Sequence, residues 1–145
     1  MKLVSDDFIN KEIKEYLLTQ EGIIDVELNE DHNLTIFDIK YNENITPNII
    51  LKYIELFQNR KYSILFEFDK NTKGIFNVLE YVIDDMCCEY CYRRLVTDLF
   101  ENEHIKSVKS NFNYQRPAFN IKFIIEYDNN YTKEELIKYI KEKYN

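Results

Sequence analysis

This chain has no basic field, no membrane-length apolar run, and no cysteine outside one short stretch. Its 145 residues carry 19 Lys and Arg against 26 Asp and Glu, a formal charge of −7. The deficit is uneven: residues 1–70 hold 8 basic and 14 acidic side chains, residues 71–145 hold 11 and 12. Neither half offers the clustered cations that phosphate binding requires, which excludes nucleic acid as a partner. The 12 Tyr and 10 Phe therefore read as core filling rather than as stacking platforms for bases. No apolar run approaches the roughly 18 residues that a bilayer demands, and the first residues, Met1 to Lys14, turn polar where a signal peptide would have its apolar stretch. A soluble, cytoplasmic protein without membrane insertion is expected. With 145 residues there is length for a proper apolar core, in one domain or two small ones.

All three cysteines fall within Met86-Cys87-Cys88-Glu89-Tyr90-Cys91. That clustering is unlike a secreted disulfide framework, and a reducing compartment would keep the thiols available. Cys88 and Cys91 stand at C-x-x-C spacing between strand-like Ile75–Ile83 and helix-like Glu89–Glu101. Two thiols so placed can bind a soft metal or close a redox disulfide. Cys91 falls in the helix's first turn, where unsatisfied N–H groups favour thiolate over thiol. A thiolate pair suits Cu(I) or another soft cation, whereas Mg or Ca would need oxygen ligands. Arg93 and Arg94 can offset the charge of such a site or simply form a solvated helix face. Cys87 can add a third thiolate, link two molecules across a shared metal as a homodimer, or remain a free thiol. The two histidines are not expected to contribute: His32 lies in a turn, and His104 follows the cysteine helix, roughly 20 Å from its start.

The chain repeats itself. Phe37, Ile39, Tyr41, Thr46, Lys52, Tyr53 and Ile54 recur 86 positions on as Phe123, Ile125, Tyr127, Thr132, Lys138, Tyr139 and Ile140. Upstream the offset is 82, matching Ile13, Leu17, Ile23 and Val26 with Leu95, Leu99, Ile105 and Val108. The extra residues fall in Asn111–Ala118, where a loop between paired strands tolerates insertion. Cys87, Cys88 and Cys91 then align with Ser5, Asp6 and Ile9, so residues 1–70 form a degenerate copy without metal ligands and residues 71–145 carry the cysteine loop.

Periodicity and caps predict the elements. The first copy should hold a helix over Phe8–Gln20, strands at Ile23–Leu28 and Leu34–Tyr41, a helix after Thr46-Pro47, and a strand at Lys61–Asp69. Met1–Val4 is hardly long enough for a strand. The second copy should run strand (Ile75–Ile83), helix (Glu89–Glu101), strand (Ile105–Phe112), strand (Phe119–Tyr127) and helix (Thr132–Lys143). The implied class is α+β, with two incomplete ferredoxin-like (βαββαβ) repeats and helices mainly on one face. Their missing strands suggest one continuous antiparallel or mixed sheet sharing a central hairpin of Tyr62–Asp69 with Ile75–Ile83. Phe76, Val78 and Val82 add apolar surface on the second face of that strand, which the other half or a second molecule should cover.

The run Tyr81 to Leu95, with Met86, Cys88 and Cys91 spaced as Met-x-Cys-x-x-Cys between an apolar strand and an amphipathic helix, resembles the metal loop of heavy-metal-associated (HMA) domains. The likeness covers residues 75–143 and departs from the family at Asp85, where Gly is usual. It implies Cys88 and Cys91 as metal ligands, with Met86 packed under the loop. Cu(I) is the implied ion, with Zn(II) or Cd(II) as alternatives, and the implied role is that of a metallochaperone-like or metal-sensing module. A metal-transporting ATPase is the kind of protein partner the family serves.

Two other classes stay open. A protein-interaction module on an HMA-like scaffold fits the cysteine-free first half. A thiol-disulfide oxidoreductase fits less well, since the helix-rich order of thioredoxins after C-x-x-C is missing and Pro117 follows only one intervening strand. No nucleophile, base and orienting group converge in the pattern, so no enzyme is expected. An RNA-recognition module is disfavoured because Phe119–Tyr127 has no Gly and only Lys122 as a basic residue. Amino-acid-sensing modules of the same fold usually place Gly in the first strand-to-helix turn, and neither copy does.

Overall fold

Eleven elements alternate along the chain in a computed structural model that describes residues 1–5, 10–31, 34–59, 65–86, 89–111 and 118–144. They are β1 (Lys2–Ser5), α1 (Asn10–Leu18), β2 (Ile23–Asp31), β3 (Leu34–Tyr41), α2 (Pro47–Gln58), β4 (Glu67–Asp69), β5 (Phe76–Met86), α3 (Glu89–Glu101), β6 (Ile105–Ser110), β7 (Ala118–Asp128) and α4 (Lys133–Tyr144). None of these helices is long and apolar enough to cross a membrane.

Local chemistry accounts for the helix ends. Thr46 caps α2 by accepting the Ile49 N–H at 3.4 Å, Pro47 opens the helix where no N–H is needed, and Asn59 closes it at φ 55° with its own N–H on the carbonyls of Glu55 and Leu56. Thr132 repeats the cap on α4, accepting the Glu135 N–H at 3.0 Å. Glu134 and Glu135 then lie in the first turn of α4 and Lys141 and Lys143 in its last, each suited to the helix dipole.

The seven strands form one sheet, ordered β2-β3-β1-β4-β6-β7-β5, with every pairing antiparallel. Directly opposed residues in antiparallel strands share a face. One row therefore crosses the whole sheet: Leu28, Phe37, Leu3, Phe68, Val108, Ile125 and Leu79, each opposite the next. All but Leu28 are buried, and Leu28 packs at the margin of the same cluster. Ile13 and Leu17 of α1, Ile50 and Ile54 of α2, Leu95 and Leu99 of α3, and Leu136 and Ile140 of α4 complete that core. On the other face Glu27, Lys40, Val78 and Val82 are exposed, so the four helices share one side of a two-layer fold.

The pairing of β2 with β3 recurs in β6 with β7. Ile23 opposite Tyr41, Asp25 opposite Lys40 and Val26 opposite Ile39 become Ile105 opposite Tyr127, Ser107 opposite Glu126 and Val108 opposite Ile125. Even the bulge recurs, between Ile23 and Asp25 and again between Ile105 and Ser107. Turn bonds follow suit: Asn42 N–H to the Gly22 carbonyl at 2.8 Å, and Asp128 N–H to the His104 carbonyl at 2.9 Å. These are the offsets of 82 and 86 read from the sequence.

Three expectations are corrected. Met1–Val4, set aside as hardly a strand, is part of a strand: β1 alternates buried Leu3 and Ser5 with more exposed Lys2 and Val4, and is paired on both sides, by β3 and β4. Four residues suffice because two neighbours satisfy them. The central hairpin of Tyr62–Asp69 with Ile75–Ile83 is absent among the described residues: β4 lies between β1 and β6, while β5 pairs only with β7 at the sheet's edge. Residues 70–75 thus carry the chain across three strand spacings, about 14 Å, well within the roughly 20 Å that six extended residues reach. The physical reason is the α2 crossover, which returns β4 to the free edge of β1, where Phe68 buries between Leu3 and Val108. Finally, among the described residues the first half does not cover the second face of β5, because the halves join edge to edge.

Candidate metal centre

The cysteine stretch runs in sequence from the last residue of β5 into α3. β5 stays paired with β7 as far as Met86, opposite Ala118, and the Met86 side chain is buried in the core. Cys87 and Cys88 lie outside the described residues. Cys91 is in the first turn of α3, half-buried and packed against the core. Of the proposed ligands, only Cys91 can therefore be placed.

Tyr92 holds that turn. It is buried to 1% exposure, and its hydroxyl donates to the Phe66 carbonyl and hydrogen-bonds with Ser110 Oγ. Its ring stacks on Phe123 with centroids 5.7 Å apart. The start of α3 is thus tied to the segment entering β4, to β6 and to β7 at once. A tyrosine hydroxyl this deep needs such partners, and losing them would leave buried acceptors unmet. Beside Ser110, the Glu67 carboxylate of β4 accepts the Ser110 N–H at 2.9 Å, and burial pushes its pKa up.

The two arginines separate. The Arg93 guanidinium lies 4.0 Å from the Phe66 ring centre and its side chain is half-buried, so it serves as a packing element over an aromatic face. Arg94 is exposed.

Strand pairing also corrects the alignment of the cysteine loop. Leu3 stands opposite Phe37, and Tyr81 opposite Phe123, so β1 and β5 are offset by 78 while the helices are offset by 82. Ser5 therefore corresponds to Ile83 rather than to Cys87. The second half has four more residues than the first between strand and helix core, and the cysteines fall in that longer connection. Asp6 and Ile9 lie outside the described residues.

The donor chemistry of this turn fits a soft ion, because its candidate ligands are thiols. Among the described residues no three His, Cys, Asp or Glu side chains converge.

At the opposite end of α3 lies a cluster that the sequence reading passed over. His104 Nδ1 is 3.1 Å from both carboxylate oxygens of Asp128, and its ring stacks on Tyr131 at 4.5 Å and 11°. Lys70, buried to 6% exposure, donates to the Asn102 carbonyl at 3.1 Å, just past the end of α3. Burial pulls its pKa down to about 8, against the opposing field of Glu103. Asn48 Nδ2 of α2 reaches the Glu101 carbonyl at 3.5 Å. Lys70 and Asn48 belong to the first half and α3 to the second, so these contacts cap the helix and join the halves. The signal for the His104–Asp128 pair was present: the two sit at the repeat positions of Gly22 and Asn42.

No protein-family model matches this chain, and neither a curated protein nor a solved structure matches it.

Proposed function

We propose that the chain is a soft-metal-binding protein, with Cu(I) the preferred ion and Zn(II) or Cd(II) accepted more weakly, held by Cys88 and Cys91 in a metallochaperone-like or metal-sensing role. The observation that carries this reading is the position of Cys91. It stands in the first turn of a helix anchored by Tyr92, immediately beyond a strand that ends in buried Met86. A helix start stabilises a thiolate through its N–H groups, and the partner thiol at C-x-x-C spacing lies one turn away in sequence. Met86 acts here as support beneath the loop, Arg94, one helical turn on from Cys91, supplies positive charge, and Cys87 is an auxiliary thiol.

The scaffold belongs to the same proposal. The order β4-β1-β3-β2 in the first half, with α1 and α2 as crossovers, is that of a ferredoxin-like unit. β5, β7 and β6 repeat it without a fourth strand. On this reading residues 1–70 are a complete, cysteine-free copy and residues 71–145 a metal-binding copy.

Anaerobic purification followed by metal analysis and competitive Cu(I) and Zn(II) titration tests the function. One tightly held Cu(I) per chain is expected, and a chain that competes for neither ion refutes it. A second reading, a protein-interaction module, is favoured by one observation: Ile75, Val78 and Val82 are exposed along the sheet's edge.

A further inference from the structure

The second half of the sheet stops where the first half has one more strand. β1 is paired on both sides, whereas β5, its counterpart by register, is paired only by β7 among the described residues. Every other residue of the 11-residue β5 therefore presents its main-chain N–H and C=O groups along an open edge. Natural edges are blunted by brevity, proline or charge. β5 is long and contains no proline, and on its uncovered face Val78 at 59% and Val82 at 51% exposure alternate with Glu80 and Asp84, beside Ile124 of β7 at 37%. Ile75, just before the strand, is 75% exposed. An open edge flanked by exposed valines is a pairing surface.

We propose that β5 pairs antiparallel with β5 of a second copy of this chain across a two-fold axis, joining two seven-stranded sheets into one. The alternatives within a second copy are limited to its two sheet edges, β5 and β2. β2 puts Asp25 and Glu27 on the face that carries Glu80 and Asp84 of β5, and like charges across a strand pair repel. β5 against itself can reduce that conflict to a single Glu80 pair, beside which each chain has Lys122.

Register narrows the geometry. Opposed residues must share a face, and with the axis at Glu80 each Val78 meets a Val82, twice by symmetry. On the helix side Leu79 meets Tyr81, also twice. Moving the axis to Leu79 sets Val78 against Glu80, and moving it to Tyr81 sets Val78 against Asp84 and Glu80 against Val82. At the preferred axis the two Glu80 carboxylates approach each other, but each is 3.1 Å from the Lys122 ammonium of its own chain. The four charges there sum to zero.

Sedimentation equilibrium of the full chain, with a thiol reductant and a chelator present to exclude cysteine-linked or metal-linked pairs, tests the proposal. A reversible dimer of twice the 17.7 kDa chain mass is expected. Val78→Lys with Val82→Lys should leave the helical circular dichroism unchanged and weaken the dimer about tenfold or more. Glu80→Lys should weaken it by charge alone, and Glu80→Lys combined with Lys122→Glu should restore it, because the axis is then neutral again. A chain that stays monomeric at every concentration overturns the proposal. So does a dimer that survives the valine substitutions, or one indifferent to Glu80→Lys.

Discussion

The two halves of this sheet share a register and differ at their ends. In the first, four strands close the order and the outermost strand, β2, carries the acidic residues Asp25, Glu27 and Glu30. In the second, three strands leave β5 outermost among the described residues, and its uncovered face alternates Val78 and Val82 with Glu80 and Asp84. The span from matched strand positions to the matched helix core differs as well, being four residues longer in the half that holds the cysteines, where β5 and α3 both extend into it. Matched cores with unmatched edges and loops show where repeated architecture is constrained. Core positions must interlock with neighbours on every side, while an edge or a connection can change without disturbing the row that crosses the sheet.

The sharpest way to break the comparison is through the cysteines. Cys88→Ser or Cys91→Ser should lower Cu(I) affinity on the order of a hundredfold or more while the thermal unfolding midpoint moves little, as competitive titration and calorimetry would register. Unaltered affinity in both single variants would remove the asymmetry in metal chemistry between the halves.

A second test asks whether the cores are as equivalent as their registers. Leu17 and Leu99 are both fully buried at matching positions of α1 and α3. Replacing either with Ala should cost about 2–5 kcal/mol in chemical denaturation, with similar values for the two. A cost in one helix several times that in the other would show that the halves are packed to different standards.

Lys70 offers a pH-dependent test at the seam. Its pKa is about 8 in the folded chain against an ordinary value of 10.5, so between those values the unfolded chain binds more protons than the folded one. Stability should therefore rise with pH across that window, by on the order of 3 kcal/mol from this group. In Lys70→Met the rise should vanish from urea midpoints measured across the window. A slope that persists unchanged would mean that Lys70 is not its source.

Paired caps give the smallest effect. Thr46→Ala and Thr132→Ala remove the same bond from α2 and α4, and each should cost about 1 kcal/mol by thermal denaturation. Unequal costs would show that one helix is held mainly by its tertiary contacts.

Much of this architecture was legible from residues alone. Thr46-Pro47 and Thr132 mark helix starts by capping chemistry that acts within four residues. The offsets of 82 and 86 are visible because core side chains recur in order, and strand pairing follows them down to the bulges at Ile23 and Ile105. β1 escaped notice because a strand of four residues has too little alternation to stand out. The hairpin between β4 and β5 was misjudged because adjacency in sequence stood in for adjacency in space. At the cysteine loop the spacing was plain, but the anchoring of Cys91 through Tyr92 was not, since Phe66 and Ser110 lie far from it along the chain.

The sequence by itself determined which residues turn inward, where helices begin, and that the thiols gather at a single strand-to-helix turn. These follow from short-range periodicity, from capping groups that bond their own backbone, and from the positions of three cysteines. Only the tertiary structure decided which strands are neighbours, that β4 joins the halves through β6, and that β5 has an open edge among the described residues. Every strand presents the same N–H and C=O groups, so alternation specifies a face but no partner. Partners are chosen by where the crossovers return the chain and by which apolar rows line up, Leu3 to Phe68 to Val108, when they arrive.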